Sequence, residues 1–273
     1  MKTIAIQGIK GSFHHQVAQE FFSQEIPVVE CDSFGSLIHS LTHEQSTDAV
    51  MAIENSIAGA ILPNYALIDG HNVSIEGEYY LSIQHHLMAL KGQDLDAIKE
   101  VWSHPMAHLQ CRAFFKDYPH IKLVEEVDTA YAAQQIQSGQ LKGIAAIASE
   151  TAASMYELSI LQRSIQTIKD NSTRFFILNT SGIHTNTTAN KASLRFTTEH
   201  KRGSLATILN VLSDCKLNLT KIQSMPIVQT PWKYAFFVDV TFEQYEDYAK
   251  AKKVMAIMAT DFKILGEYKN MKI

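Results

Sequence analysis

The stretch from Asn171 to Leu178 places two chemically useful side chains directly before an apolar run typical of a β-strand. Arg174 carries a permanent cation whose planar donors can hold a carboxylate in bidentate fashion. Thr173 beside it offers a hydroxyl that can donate a hydrogen bond to a leaving group. Such a pair suits a reaction on an anionic substrate. An ordinary solvated strand start has the same pattern, so the rest of the chain must separate the two interpretations.

The chain before this stretch alternates short apolar runs with amphipathic ones, which is the rhythm of β-α-β-α units. One set of units covers residues 3–67 and a second covers residues 101–156, with extended chain at 73–90 between them. Two such sets predict two lobes with a cleft. Ligands in such sheets bind beyond the carboxyl ends of the strands.

Residues 179–190 are almost wholly Asn, Thr, Ser and Gly, which predicts a linker. After it come a strand, a helix, two strands, a helix and a strand, the βαββαβ order of a ferredoxin-like domain. We therefore expect a first domain at 1–180, a linker at 181–190 and a second domain at 191–273.

The composition narrows the class of function. The chain has 273 residues, a formal net charge of −4 and three cysteines far apart in sequence. These values predict a soluble protein of two domains, without a disulfide framework and without the basic surface that binds nucleic acid. No apolar run approaches the ~18 residues that cross a bilayer. We expect a cytoplasmic protein that does not bind membranes.

Small hydroxyl and amide side chains recur where strands of the first domain end. They lie at Gly11-Ser12-Phe13, Glu54-Asn55-Ser56, Ser103-His104-Pro105, Asp128-Thr129-Ala130 and Ala148-Ser149. Helix N-termini with such residues can hold anions, because unpaired N–H groups and the helix dipole both favour negative charge. Each alone is equally an ordinary N-cap. Five of them converging on one cleft favour a ligand with more than one carboxylate.

Motifs for binding nucleotides or metals are only weakly represented in the sequence. Gly8 and Gly11 lack the third glycine and the acidic residue of a dinucleotide fingerprint, and no phosphate-binding loop occurs. Two histidine pairs, His39 with His43 and His104 with His108, have the spacing of zinc ligands on a helix, but neither has a supporting glutamate or clustered cysteines. We expect these histidines to be solvated or to cap helices. We also expect no metal and no cofactor.

Taken together, the motifs resemble the prephenate dehydratase family, in its single-activity form with a C-terminal ACT regulatory domain. The resemblance spans essentially the whole chain and includes Gln110-Cys111, Ala145 to Ser149 and Asn171 to Phe175 besides the strand ends above. It implies an α/β fold, with a bilobal catalytic domain like a periplasmic binding protein and a ferredoxin-like βαββαβ ACT domain. The chain starts at the dehydratase strand, so we expect no fused chorismate mutase bundle.

The resemblance also implies the reaction, in which prephenate loses CO2 and water to give phenylpyruvate in phenylalanine biosynthesis. Thr173 is then the donor to the departing hydroxyl, and Arg174 orients a carboxylate. Glu54 is either a buried acid with a raised pKa or a structural partner of a cation, and both roles stay open. The implied substrate contacts are Ser12, Phe13, Asn55, Ser56, Ser103, Gln110, Thr129 and Phe175.

In the second domain, the resemblance implies a site for the inhibitor L-phenylalanine in a homodimer or homotetramer. Its implied residues are Gly203, Ser204, Leu205, Gln223, Ser224, Met225 and Pro226. The family has Glu-Ser-Arg-Pro where this chain has 223–226, so one acidic and one basic residue are lost together. The family commonly has Gln where Met106 stands and Ser or Thr where His14 stands. We expect phenylalanine binding to be weakened or altered.

Two alternative functions stay open at this point. Arogenate dehydratase differs only by an amine in place of the substrate's keto group, and the sequence does not separate it from prephenate dehydratase. A non-catalytic sensor of amino acids or carboxylates, from a different class, would need Arg174 but would have no use for the hydroxyl of Thr173.

Overall fold

The computed structural model describes residues 2–183, 185–227 and 230–272. They pack into two compact units that do not follow chain order. The first comprises Met1–Ala60 and Tyr80–Phe175, and the second comprises Ile61–Tyr79 and Phe176–Ile273. Residues 61–79 therefore pack with the C-terminal part of the chain. The boundaries inferred from the sequence stay a prediction, and His184 of the expected linker lies outside the described residues.

The described residues form three sheets, whose strands are numbered in chain order. The first sheet has the order β2-β1-β3-β11-β5, with the short β4 paired to β3, and β1 runs parallel to both of its neighbours. The strands are β1 Ile4–Gln7, β2 Val28–Cys31, β3 Asp48–Asn55, β4 Gly59–Ala60, β5 Ser74–Ser82 and β11 Ser172–Asn179. Along the chain, β5 and β11 each run from one unit into the other.

Three helices follow strands of this sheet. They are α1 Phe13–Phe21, α2 Phe34–Thr42 and α3 Leu62–Gly70. The first two begin where the sequence predicts, because Ser12 and Ser33 accept hydrogen bonds from first-turn N–H groups and satisfy donors that a helix start leaves open. Pro63 stands in the first turn of α3, where its missing N–H costs nothing.

The second sheet has the order β10-β6-β9-β7-β8 and is mixed, with β7 parallel to β8 and β9, and β6 antiparallel to β9 and β10. Its elements are β6 His86–Ala89, β7 Glu100–Ser103, α4 Pro105–Gln110, β8 Lys122–Glu125, α5 Thr129–Ser138, β9 Ile144–Ala148, α6 Glu150–Met155 and β10 Ser159–Gln162. Alternate residues of β6 enter two different cores, Leu87 one and Met88 the other. Both faces of this sheet are therefore buried at its central strands β6 and β9, while the edge strand β8 is largely exposed.

The sequence misplaces two elements of this region. Within the second set of units, the amphipathic run 105–115 predicts one helix, but the observed helix ends at Gln110 and a separate 3-10 turn covers Phe114–Asp117. Strand β10 is missing from the sequence-based prediction, because a four-residue edge strand of mixed polarity carries little periodic signal. No helix of the described residues has the length and apolar character needed to cross a membrane.

The third sheet lies in the second unit and has the antiparallel order β13-β14-β12-β15. Its elements are β12 Lys191–Thr197, α7 Ser204–Asp214, β13 Asn218–Pro226, β14 Tyr234–Thr241, α8 Tyr245–Met258 and β15 Thr260–Tyr268. The order βαββαβ is the predicted one. The two helices and the sheet enclose one apolar core that includes Phe196, Ile208 and Tyr248.

Residues 61–79 are held tightly within the second unit. A Cβ added at Gly266 of β15 would lie 2.2 Å from the carbonyl oxygen of Ile75, so only glycine allows this approach of two backbones. The Lys191 ammonium donates to both carboxylate oxygens of Glu78 at 2.9 Å, and both side chains are buried. Segment 61–79 is thus joined to the βαββαβ fold by backbone packing and by a buried ion pair.

His14 of α1 gives the fold a specific acid sensitivity. Its Nε2 accepts the Ala52 N–H at 3.3 Å, its ring packs edge-on against Phe175, and burial lowers its pKa from 6.5 to about 3. The unfolded chain takes up this proton below pH 6.5 and the folded chain does not. The free energy of unfolding therefore falls as the pH drops, by about 2 kcal/mol for this histidine between pH 7 and pH 5.

The variant His14→Gln keeps an acceptor but does not titrate. Between pH 7 and pH 5 we expect its free energy of unfolding to fall by about 2 kcal/mol less than that of the wild type. Urea unfolding at pH 7 and pH 5 measures it. His39→Gln, at an exposed histidine of α2, is the matched control and should leave the loss unchanged. Equal losses in wild type and H14Q would contradict the assignment.

Candidate functional site

Thr173, the second residue of β11, is buried beside the end of β3. Its Oγ1 lies 2.9 Å from Nδ2 of Asn55, the last residue of β3. An amide nitrogen can only donate, so the Thr173 oxygen is the acceptor in this contact. The hydroxyl hydrogen of Thr173 is therefore directed to some other acceptor, which is the property a donor to a leaving group needs.

The orientation of the Asn55 amide is fixed by the backbone. Its Oδ1 accepts the N–H groups of Ile57 at 3.0 Å and Ala58 at 2.9 Å, and backbone N–H groups cannot act as acceptors. Its Nδ2 donates to Thr173 and, at 2.7 Å, to Oδ1 of Asn171. A flipped amide would place donors against donors at two positions. The direction of the Asn55 amide is thus fixed, and its contact with substrate stays a prediction.

Arg174 follows Thr173 along β11, so the two side chains leave the strand towards opposite faces. The Arg174 guanidinium lies over the Tyr80 ring of β5, 5.9 Å from its centroid, and is buried. The same alternation separates half-buried Glu54 from Asn55 on β3. Thr173 and Arg174 are therefore neighbours in the chain without sharing a face. The roles of Arg174 and Glu54 stay predictions.

Ser56 and the aromatic candidates have structural partners. Ser56 is exposed, and its Oγ accepts the Ser172 N–H at 2.9 Å, which secures the start of β11 beside β3. Phe175 is fully buried against His14, so in this structure it belongs to the core. Phe13 is half-buried and contacts the His85 ring edge-on, with centroids 5.7 Å apart.

The predicted convergence of strand ends is partly present within the first unit. The Ser149 hydroxyl donates to the Gly11 carbonyl at 2.9 Å, and the Tyr156 hydroxyl donates to the Lys10 carbonyl at 2.6 Å. A Cβ at Gly8 would lie 2.9 Å from the Asp128 carboxylate, and its φ of +88° is one that other residues rarely adopt. The loop after β1 therefore lies against the starts of α5 and α6.

Several of the hydroxyls predicted to bind substrate serve the fold here. The Ser103 hydroxyl is buried and donates to the Ile147 carbonyl at 2.7 Å, and Ser12 caps α1 by accepting the His15 N–H at 3.3 Å. Thr129 is the buried first residue of α5. The ordinary N-cap interpretation thus holds for Ser12, while substrate contacts by these residues stay predictions.

Asp128 limits what α5 can offer to a substrate anion. Its Oδ1 accepts the N–H groups of Ala130 at 2.8 Å and Tyr131 at 3.1 Å, so a carboxylate of the protein already satisfies the first turn. Burial raises its pKa above the usual range, against the lowering effect of these two hydrogen bonds and of nearby His104. The helix start is therefore a weaker anion site than the sequence alone suggests.

Three of the four paired histidines lie as expected, but His108 is buried and its Nε2 lies 2.8 Å from the Val124 carbonyl oxygen, so it neither is solvated nor caps a helix. His104 caps α4 by accepting the Met106 N–H, and His39 stacks on His43 with ring centroids 3.8 Å apart. Among the residues that the structure describes, no group of three His, Cys, Asp or Glu could hold a metal ion.

The candidate phenylalanine residues lie in the second unit on two elements. Gly203 precedes α7, Ser204 begins it, and Leu205 packs partly against the apolar core. Residues 223–226 are in β13, where Gln223 and Met225 share one half-buried face while Ser224 and Pro226 are exposed. The Gln223 amide donates to the Ser224 carbonyl at 2.9 Å.

The sequence-based site omits Asn171 and His85. Asn171 is buried, accepts from Asn55 and donates through Nδ2 to the Gln110 Oε1 at 2.9 Å. The Gln110 Oε1 also lies 2.9 Å from the His85 Nε2. Asn171 opens the motif that contains Thr173, so its position gave a signal. The sequence gives no comparable signal for His85, which lies in a stretch predicted only to be extended.

A family model described as prephenate dehydratase matches residues 4–182. The bifunctional chorismate mutase/prephenate dehydratase of Buchnera aphidicola is 32% identical, over 97% of this chain and 70% of its own length. An Arabidopsis thaliana arogenate dehydratase/prephenate dehydratase is 34% identical, over 97% of this chain and 72% of its own length.

Two solved structures are similar over nearly the whole chain. One, described as GqqA, a quorum quenching acylase, is 25% identical with a TM-score of 0.88, covering 98% of each chain. The other, a prephenate dehydratase from Arthrobacter aurescens in complex with L-Phe, is 23% identical with a TM-score of 0.87, covering 98% of this chain and 90% of its own. The second likeness concerns the fold alone.

Proposed function

This chain belongs to the prephenate dehydratase family, and from that membership we propose that the reaction takes place at the hydroxyl of Thr173. The chain is a lyase of that family, whose reaction is the decarboxylating dehydration of prephenate. The observation that carries the assignment to Thr173 is the Asn55 Nδ2 contact of 2.9 Å, which uses the Thr173 oxygen and leaves its hydrogen available. A sensor without turnover would not need that arrangement.

The chemistry explains why a donor is needed. The bond from the ring to the carboxylate breaks and releases CO2, its electron pair completes the aromatic ring, and the opposite ring carbon loses its hydroxyl. Prephenate dianion and one proton thus give phenylpyruvate, CO2 and water. Hydroxide is a poor leaving group, so a hydrogen bond or a proton delivered to the departing oxygen lowers the barrier.

Thr173 and Asn55 can supply this help together. As the Thr173 hydroxyl donates to the departing oxygen, partial negative charge grows on Oγ1, and the Asn55 N–H stabilises that charge. The proton itself comes through Thr173 or from Glu54, which precedes Asn55 on β3. Both stay candidates for the general acid.

We propose that the substrate carboxylates are bound by Arg174 and by donors at the strand ends of a cleft between two lobes, in a fold like that of periplasmic binding proteins. Because α5 is capped by the Asp128 carboxyl group while α1 is capped by the neutral Ser12 hydroxyl, the start of α1 and the Arg174 guanidinium are the better candidates.

We propose that the βαββαβ fold is an ACT domain that binds L-phenylalanine and inhibits the enzyme in a cytoplasmic homodimer or homotetramer. The strand order, the position of Gly203 before α7 and the shared face of Gln223 and Met225 support this.

Turnover of prephenate by purified protein tests the proposal. We expect phenylpyruvate to form at mildly alkaline pH, where prephenate does not aromatise unaided, and L-phenylalanine to lower the rate. Arogenate and a simple N-acyl amide, assayed in parallel, measure the two activities named for similar proteins. No phenylpyruvate above the heat-denatured control would overturn the function, and a rate independent of phenylalanine would overturn the regulation alone.

A further inference from the structure

His85 ends a chain of side-chain hydrogen bonds that begins at Thr173. Its Nε2 lies 2.9 Å from Oε1 of Gln110, and that same oxygen accepts from Asn171 Nδ2 at 2.9 Å. Asn171 in turn accepts from Asn55, which donates to Thr173. The imidazole is buried, and its other nitrogen, Nδ1, is a buried atom without a hydrogen-bond partner in the described structure.

The direction of every bond in this chain follows from one fixed point. The backbone N–H groups of Ile57 and Ala58 force the Asn55 Oδ1 towards themselves, so its Nδ2 must face Asn171. The Asn171 Oδ1 then faces Asn55, and its Nδ2 faces Gln110. The Gln110 Oε1 is therefore an acceptor on both sides. Only a protonated Nε2 of His85 can meet it.

From this geometry we propose that His85 is a positioning residue, which as the neutral Nε2–H tautomer holds Gln110, Asn171 and Asn55 in the one orientation that leaves the Thr173 hydrogen free for the substrate. The inference deepens the proposed function and rests on it for its effect on catalysis. His85 touches neither the reacting atoms nor Thr173 directly. It acts through three amides.

The surroundings of His85 keep it neutral. Burial lowers its pKa to about 4, against the raising effect of the Gln110 hydrogen bond and with a further lowering by neighbouring His86. His86 belongs to a different set of contacts, since its Nδ1 accepts the Ser164 N–H at 3.1 Å. The edge-on ring of Phe13 covers another side of His85. The donor at Nε2 is therefore constant through the neutral pH range.

A matched pair of variants separates positioning from packing. His85→Phe keeps a flat ring but loses the donor, and we expect kcat for prephenate to fall about tenfold with KM little changed. His85→Gln carries an amide N–H at about the place of Nε2 and should restore most of the loss. His86→Gln, at the neighbouring buried histidine, is the control and should keep the wild-type kcat.

A double-mutant cycle adds a second criterion. Asn171→Leu breaks the chain nearer to Thr173, so adding His85→Phe to it should lower kcat no further. Full additivity of the two losses would contradict a single chain. Equal kcat values for H85F and wild type would also overturn the proposal. So would a loss of kcat in H85Q as large as that in H85F.

An observation that needs no turnover keeps this inference separate from the proposed function. Nitrogen-15 NMR of histidine-labelled wild-type protein should show His85 protonated at Nε2 and bare at Nδ1 at neutral pH. The Nδ1–H tautomer, or an imidazolium, overturns the inference even if the enzyme is active. An inactive wild type with the expected tautomer overturns the proposed function and leaves the chain of hydrogen bonds standing.

Discussion

Thr173→Val is expected to lower kcat for prephenate by about 10²- to 10⁴-fold, the usual contribution of a positioned proton donor. Valine keeps the shape of the side chain but removes both the oxygen that accepts from Asn55 and the hydrogen that would reach the departing hydroxyl. Phenylpyruvate formation under saturating prephenate measures kcat. Binding of prephenate, followed by calorimetry, should be largely preserved, because the carboxylates are held by other groups.

Thr173→Ser is the matched control for this variant. Serine retains the hydroxyl and can accept from Asn55, so it should keep most of the activity. Glu54→Gln identifies the source of the proton. If Glu54 is the general acid, its variant should lose kcat as severely as T173V. If Glu54 is a structural partner, the loss should appear mainly in stability. Undiminished turnover by T173V would refute the assignment of Thr173.

Lys191→Met is expected to lower the free energy of unfolding by about 3 kcal/mol, because it removes the cation that donates to both oxygens of the buried Glu78 carboxylate in a site of low dielectric. The side chain of Glu78 has no exposed surface and that of Lys191 has 3%. The Glu78 Oε1 also accepts the Met271 N–H at 3.1 Å, so the carboxylate cannot easily turn away. Urea unfolding at neutral pH measures the change.

Two comparisons make the result specific. Arg163→Met removes the cation of the pair Arg163–Glu150, whose side chains are 62% and 61% exposed, and should cost at most about 1 kcal/mol. The double variant Lys191→Met with Glu78→Met should recover part of the loss, since two apolar side chains replace two buried charges. If K191M lowers the free energy of unfolding no more than R163M does, the buried pair does not hold segment 61–79.

Much of the fold follows from local pattern. Ser12 and Asp128 cap helices because each precedes an amphipathic run, and the βαββαβ order can be predicted from periodicity alone. Strand alternation also implies that Thr173 and Arg174 face opposite sides of the sheet. The sequence already contains this information, although two adjacent residues look at first as if they act together. Strand β10 is missed because its four residues mix polar and apolar types, unlike the equally short but mostly apolar β1.

The sequence by itself determined the family, through motifs that place hydroxyls, amides and one guanidinium at strand ends. The tertiary structure alone decided how these groups are directed. Asn55 and Asn171 are separated by 116 residues, and Gln110 and His85 by 25, so their contacts depend on strand register and packing, which periodicity does not encode. The same holds for Lys191 and Glu78, 113 residues apart. Hydrogen bonds and buried charges act over about 3 Å, so their partners are defined only once the chain is folded.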